Sequence, residues 1–309
     1  MYGVVVAELG GPDGLRVTEL PDPQAGPGQV VVRVRAVCVQ PADLAARVGM
    51  IPGGPVPPPF LPGWDVAGEV AEVGAGVTDL RVGDRVVGMV PWYLTRGTPG
   101  TYAEYVAADA EWLVPLPDGL DAAAAATLPL NAVTAHQALE MLSLDEPATV
   151  LVTGASGGVG GFATELAVRR GHRVLALSTH DDEAWVGALG AAEVVPRAAD
   201  LGSIGPVQAV LDAVPLGDPA LAAVKDGGVV VTTRPTPPAD PARGIRTHLQ
   251  LIHVDRAVLA ELVALAAAGE LRTRVAATLQ LTEAAEAHRR AEAGGLRGKI
   301  VLTAGDQPA

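Results

Sequence analysis

Residues 149–160 read Thr-Val-Leu-Val-Thr-Gly-Ala-Ser-Gly-Gly-Val-Gly. The apolar, β-branched run 149–153 suits a buried parallel strand. Glycines 154, 157, 158 and 160 follow it and open a helical stretch, 162–170, that stops at Gly171. A second apolar run, 173–178, comes next. Strand, tight turn, helix, strand is the order that a dinucleotide site requires. The first turn of a helix has unpaired N–H groups and about half a positive charge, so a pyrophosphate can sit there. Glycine lets the backbone turn sharply and approach the phosphates. The pattern is Ala155-x-Gly157-x-x-Gly160, with alanine where the first glycine is usual. Ala155, Ser156, Gly157, Gly158, Val159 and Gly160 are therefore the expected pyrophosphate residues.

The rest of the chain must position that turn. With 309 residues there is room for two domains and a large core. Aromatics are only 3% of the chain, so Val, Leu and Ala must fill it. A net charge of −13 argues against a nucleic-acid partner, whose phosphates need a basic surface. One cysteine, Cys38, rules out an intrachain disulfide and a multi-cysteine metal cage. No long uncharged apolar run suggests a membrane span, and Met1–Glu8 reads as a strand rather than a signal peptide, so a cytoplasmic protein is expected.

Residues 1–120 read as β structure. Val30, Val32, Val34, Ala36 and Cys38 alternate onto one face and Arg33 and Arg35 onto the other, which makes Cys38 a buried core residue. A short helix is expected over 40–48. Residues 51–62 hold six prolines and two glycines and form a rigid surface loop. Valine-rich strands broken by Gly and Asp turns follow at 63–74 and 80–89. After Gly171, further strands at 207–212, 228–233 and 249–254 alternate with helices, which argues for a parallel sheet covered on its faces. Asp255 caps a helix over 256–268, and Thr282 one over 283–293.

Three segments, Pro62-Gly-Trp-Asp-Val-Ala-Gly-Glu-Val70, Val82-Gly-Asp-Arg-Val86 and Gly100-Thr-Tyr-Ala-Glu-Tyr-Val106, resemble the medium-chain dehydrogenase/reductase superfamily. Ala126-Thr-Leu-Pro-Leu-Asn-Ala-Val-Thr-Ala135 and Leu296-Arg-Gly-Lys-Ile-Val-Leu302 narrow the resemblance to its zinc-free quinone oxidoreductase branch. The motifs fall in the family's order from about residue 3 to 304. The resemblance implies an α/β protein: a doubly wound Rossmann domain, 123–268, inserted into a GroES-like β-barrel catalytic domain formed by 1–122 and 269–309. It also implies a homodimer paired through the last strands of the nucleotide domains, with 249–254 as the apolar edge.

In the zinc-dependent alcohol dehydrogenases of this superfamily, a cysteine precedes a short helix and Gly-His-Glu follows a proline loop. Aligning on Asp43 puts Gln40 at the cysteine, with Trp64 and Asp65 replacing the His and Glu. Cys38 lies two residues out of register, a shift of ~6–7 Å along a strand against a bond of ~2.3 Å. The lobe with four cysteines is missing. No metal is expected, and Asp65 reads as a structural residue. Without a Lewis acid to activate an alcohol, the suitable acceptor is already electron-poor: a quinone or an α,β-unsaturated carbonyl. A tailoring enoyl reductase acting on a larger intermediate, or a cofactor-binding protein with little turnover, are the alternatives.

The second strand ends in Ser178-Thr179-His180, without the acid that reads the ribose of NAD. That absence and the resemblance favour NADP(H), with His180 and Arg197 as the nearby cations. Asp181-Asp182-Glu183 would oppose a phosphate. By the resemblance, Gln40 and Asn131 supply amide donors in the cleft between the domains, Thr134 stands near the nicotinamide, and Lys299 reaches the cofactor from the C-terminal tail. Trp64, Trp92, Tyr93 and Tyr102 form either flat walls for a conjugated substrate or ordinary barrel core. Tyr93 is the candidate phenolic proton donor, with water as the alternative. His136, His248, His253 and His288 read as structural or exposed.

Overall fold

The computed structural model describes residues 1–235, 239 and 241–305. The chain divides into two compact units, one of Met1–Leu130 with His253–Ala309, the other of Asn131–Ile252. The sequence reading cut instead after residues 122 and 268; its final residues, 306–309, lie outside the described residues. The helix Arg256–Ala267 goes with the first unit for a local reason. Its buried stripe, Leu259, Leu262, Val263 and Ala266, packs beside the strand Leu113–Pro115. Arg256 also donates from Nε to the Leu113 carbonyl at 2.8 Å. Asp255 caps this helix as expected, accepting from Val258 N–H at 3.0 Å.

The second unit holds six parallel strands in the order Glu193–Pro196, Arg173–Ser178, Thr149–Thr153, Val207–Asp212, Val224–Thr232, Arg246–Leu249. Numbered along the chain this is 3-2-1-4-5-6, the doubly wound arrangement whose ligand crevice opens where strand order reverses, between the first and fourth strands. Leu151, Leu175, Val210, Val224 and Val230 are buried together at the centre, as apolar runs flanked by helices must be. The last strand differs from expectation. It covers Arg246–Leu249, and residues 250–254 form no strand. Gln250 N–H still bonds the Thr232 carbonyl at 2.8 Å, and its side chain turns inward, with Nε2 donating to Gln137 Oε1 at 2.8 Å.

In the first unit, the ten-residue strand Gln29–Cys38 is the hub of a seven-stranded sheet. It pairs antiparallel with Asp65–Val73, Tyr105–Asp109 and Lys299–Thr303. Covered on both faces, it buries Val31 and Val37 as well as the alternating set that ends at Cys38. The C-terminal strand adds with Val301 opposite Cys38 and Leu302 opposite Val37. Extending that antiparallel register by two residues brings Lys299 opposite Gln40. The helix expected over 283–293 runs Ala284–Ala293, and Thr282 does not cap it. Residues Leu281–Glu283 first form a 3₁₀ turn, held by a reciprocal box between Gln280 and Glu283 that satisfies the backbone donors instead. Among the described residues no helix is long and apolar enough to cross a membrane.

Candidate functional site

In the second unit the site is made of backbone. Strand Thr149–Thr153 ends at Gly154, whose φ of +61° favours glycine. Ala155 N–H bonds the Leu177 carbonyl at 3.2 Å, tying the turn to the neighbouring strand. The helix Gly158–Arg169 starts four residues earlier than the sequence suggested, with Gly157 as its N-cap. A Cβ on Gly160 would lie 2.2 Å from the Gly154 carbonyl oxygen and 2.8 Å from that of Thr153, so only glycine lets the helix rest on the strand end. The sharp turn and the free helix N-terminus fit a pyrophosphate. Ala155, Ser156, Gly157, Gly158, Val159 and Gly160 all lie on this turn or in the helix's first residues.

Two residues that the sequence reading missed stand at the same strand ends. Thr153 Oγ1 donates to Asp212 Oδ1 at 2.7 Å, and Asp212 Oδ2 accepts from Leu216 N–H at 2.8 Å. Burial pushes the Asp212 carboxyl up, against the pull of these bonds. They occupy the crevice end of the first and fourth strands; the signal was the apolar run 209–211 closing on an acid.

At the end of the second strand, Arg197 N–H bonds the Ser178 carbonyl at 2.7 Å, which places Arg197 beside Ser178. Ser178 is buried and donates to the Thr179 carbonyl, while Arg197 and His180 are exposed. The acidic run is less hostile than its sequence suggests. Asp182 is buried and accepts from Thr179 Oγ1 at 3.2 Å, and Glu183 pairs with His180 Nδ1 at 3.1 Å. That bond to Glu183 raises the imidazole pKa. Asn131 and Thr134 are both buried, one turn apart on the helix Pro129–Met141.

In the first unit the site is made of side chains. Lys299 Nζ donates to Gln40 Oε1 at 2.8 Å, and Gln40 Nε2 donates to Asp65 Oδ2 at 2.8 Å. Asp65 Oδ1 accepts from Leu130 N–H at 2.7 Å. Gln40, expected as a donor to substrate, spends its amide on this chain. Lys299, expected on the cofactor, is joined to Gln40. Burial pushes Asp65 up to about 7, and the bonds from Gln40 and Leu130 pull the other way.

A second buried network lies behind it. Asp43 accepts from Gln40 N–H at 2.8 Å, Gly63 N–H at 2.9 Å and the Tyr102 hydroxyl at 3.4 Å; burial raises it to about 7. Arg47, with no exposed surface, donates from Nε to His288 Nδ1 at 3.3 Å, and also to the Gly10 carbonyl and Glu292. Since Nδ1 must accept, the neutral ring carries its proton on Nε2, which faces the Tyr102 oxygen at 3.2 Å. Burial, then the Arg47 charge, hold His288 down at about 3. His288 is thus a fully enclosed structural residue.

The aromatic residues are mostly core. Trp64, Trp92 and Tyr102 have at most 1% of their surface exposed, so they are not walls open to a ligand. Tyr93 alone is half-buried, edge-on to Trp64 with centroids 4.5 Å apart. Burial, and to a lesser degree Asp43, raise its phenol pKa. The proline loop is held from the same segment: Arg96, at φ +50°, donates to the carbonyls of Pro52, Gly54 and Pro55. Cys38 is buried, in agreement with its reading as core.

The residues at the expected metal positions do not fit zinc. An amide, an indole and a carboxylate whose two oxygens already accept hydrogen bonds replace the thiolate, imidazole and acid of a zinc set. Among the described residues no group of three His, Cys, Asp or Glu is gathered as a metal site.

The alcohol dehydrogenase GroES-like domain family matches residues 26–118, and the zinc-binding dehydrogenase family matches residues 189–302. The quinone oxidoreductase from Coxiella burnetii superposes with a TM-score of 0.90 at 29% identity, covering 99% of each chain. A mycobacterial quinone oxidoreductase is 30% identical with a TM-score of 0.81, covering 98% of this chain and all of that one. The chloroplastic NADPH-dependent alkenal/one oxidoreductase of Arabidopsis thaliana is 33% identical over 247 residues, 77% of this chain and 64% of that protein. The chain spans 57% to 64% of the length of the first curated relatives it matches.

Proposed function

The chain belongs to the medium-chain dehydrogenase/reductase family, among its quinone oxidoreductases, and we propose that it is an NADPH-dependent reductase of quinones or α,β-unsaturated carbonyls that works without zinc. The observation that carries this is the Lys299–Gln40–Asp65 chain, in which Gln40 and Asp65 stand at two of the positions aligned with zinc ligands and are bonded to protein groups instead. The names of the relatives, quinone oxidoreductase and alkenal/one oxidoreductase, support the same acceptor chemistry.

The reduced nicotinamide supplies a hydride when bound. The turn Ala155–Gly160 would hold its pyrophosphate, and Ser178, Thr179, His180 and Arg197 its adenosine phosphate. The burial of Asp182 and the pairing of Glu183 favour NADPH over NADH, because they leave fewer open acids near that phosphate. Thr134 would stand toward the ring. Asn131 would donate to the acceptor, Gln40 would fix Lys299 and Asp65, and Tyr93 would border the acceptor as a phenolic donor. We further assign a homodimer through the outer strand Arg246–Leu249, beside which Leu249 and Leu251 are exposed, and a cytoplasmic location.

The test is oxidation of NADPH and of NADH by purified protein across a panel of quinones and linear enones, with zinc measured in parallel. Turnover with NADPH and no bound zinc is the expected result. Stoichiometric zinc, or tight NADPH binding without turnover of any acceptor, overturns it. Light scattering that finds a monomer at micromolar concentration overturns the dimer.

A further inference from the structure

We propose that Lys299 is a catalytic residue, the acid that delivers positive charge and a proton to the acceptor's oxygen. The proposal rests on the reductase reading above. An ammonium can only donate, so Gln40 must turn Oε1 toward Lys299 and Nε2 toward Asp65. Asp65 then faces an N–H on each of its oxygens, from Gln40 and from Leu130, which is the bonding pattern of a carboxylate. One amide thus links a carboxyl group on a buried strand to a cation on the C-terminal strand. The antiparallel register that seats Lys299 opposite Gln40 fixes the geometry at the level of the sheet. Lys299 is half-buried, and its bond to Gln40 spends one of three N–H donors, leaving two for an incoming oxygen. Its ammonium is hydrogen-bonded to Gln40, the residue aligned with the metal-binding cysteine of zinc relatives, so a protein cation stands beside that position.

An enone is reduced by hydride addition followed by protonation. Hydride, with its two electrons, forms a C–H bond at the β-carbon, and the nicotinamide is oxidised. The alkene π electrons move through the α-carbon to the carbonyl oxygen and give an enolate. A Lys299 N–H bond breaks, its proton goes to that oxygen, and the enol tautomerises to the saturated ketone. Water returns a proton to the amine. A quinone differs because its reduced anion is far less basic and needs less of this proton.

The experiment compares wild type with Lys299→Met and Lys299→Arg on one enone and one quinone. It also measures NADPH affinity by fluorescence and the binding of 4-nitrophenolate, an oxyanion probe that accepts no hydride under these conditions. Lys299→Met should lower kcat/KM for the enone by ~10²–10³-fold and for the quinone by less than about 10-fold. It should weaken 4-nitrophenolate about 10-fold and leave the NADPH Kd within about 2-fold. Lys299→Arg, which keeps the charge, should restore probe binding. If Lys299→Met does not fold, Lys299→Gln is read in the same way. An equal loss on both acceptors with a matching rise in the NADPH Kd would make Lys299 a cofactor residue and overturn the proposal, as would unchanged probe affinity. Lysine-dependent probe binding in a wild type that reduces no acceptor would instead sink the reductase reading and leave the oxyanion site standing.

Discussion

The glycine turn at 154–160 and the Lys299–Gln40–Asp65 chain both present hydrogen-bond donors, by opposite means. The turn uses backbone N–H groups of contiguous residues, so it depends on what side chains are absent. The chain uses side chains from three segments far apart in sequence, so it depends on sheet register. The difference teaches where each fails. A backbone site is broken by adding one atom, a side-chain site by removing one.

The sharpest way to press this comparison is at Gly160. Replacing it with Val puts a Cβ into the Gly154 and Thr153 carbonyls, at separations that no side-chain rotation relieves. Gly160→Val should raise the NADPH Kd by more than ~100-fold and melt the second unit early, because helix and strand can no longer pack. Gly161→Ala is the control, since its Cβ would meet the Ala155 carbonyl oxygen only at 3.4 Å. Fluorescence titration and circular dichroism read both. Equal behaviour of the two variants would show that the turn tolerates side chains and that the backbone account is wrong.

Next in size is the removal of a side chain from the buried network of the first unit. Arg47→Ala leaves His288 Nδ1 and the Gly10 carbonyl without their donor and opens a cavity where the guanidinium lay. A loss of ~2–4 kcal/mol in urea unfolding is expected. Glu292 contributes little of this, because it is exposed enough to be solvated. NADPH affinity of the folded protein should be unchanged if the two sites are built independently.

The turn could be read from sequence because its chemistry is local: four glycines between an apolar strand and a helix leave few other conformations. The parallel sheet of the second unit followed from the alternation of strands and helices, its doubly wound form from the resemblance, and the edge strand Glu193–Pro196 was not foreseen. Long-range pairings were not legible. Gln40 looked like a free donor because nothing near it in sequence announces Lys299, 259 residues away, or Asp65. His288 could be read only as structural or exposed, and the choice was not legible because its partners, Arg47 and Tyr102, come from remote segments. The edge strand was misplaced because 249–254 is apolar enough to be one, whereas the pairing falls on Arg246–Leu249 opposite Val229–Thr232.

A smaller effect separates the titrations of the first unit. His288 sits at about 3 in the fold against an ordinary 6.5, so between those values the native state binds fewer protons than the unfolded chain. Its contribution is full above pH 6.5 and is lost as pH falls toward 3. Asp43 and Asp65 run the other way: raised from 3.8 to about 7, they make the native state bind more protons, and their contribution shrinks as pH rises through that window. Wild-type stability alone therefore mixes opposing slopes. The difference between wild type and His288→Asn isolates the histidine. It should shift against wild type by up to ~1.4 kcal/mol for each pH unit below about 6. A pH-independent difference would mean that the ring is not held neutral by burial.

The smallest effect belongs to the exposed rim of the backbone site, where the comparison blurs because a side chain joins the turn. Arg197 is held beside Ser178 only through its backbone N–H, and its guanidinium is exposed. A solvated charge acting on a phosphate is screened by salt, so Arg197→Ala should raise the NADPH Kd by only ~3–10-fold. The NADH Kd should not move, since NADH carries no 2′-phosphate to meet the charge. Raising the salt concentration should shrink the wild-type advantage for NADPH and leave the variant's Kd nearly constant. Equal losses for NADPH and NADH would instead show that Arg197 shapes the strand end, and the preference for NADPH would then rest on Ser178, Thr179 and the buried Asp182 alone.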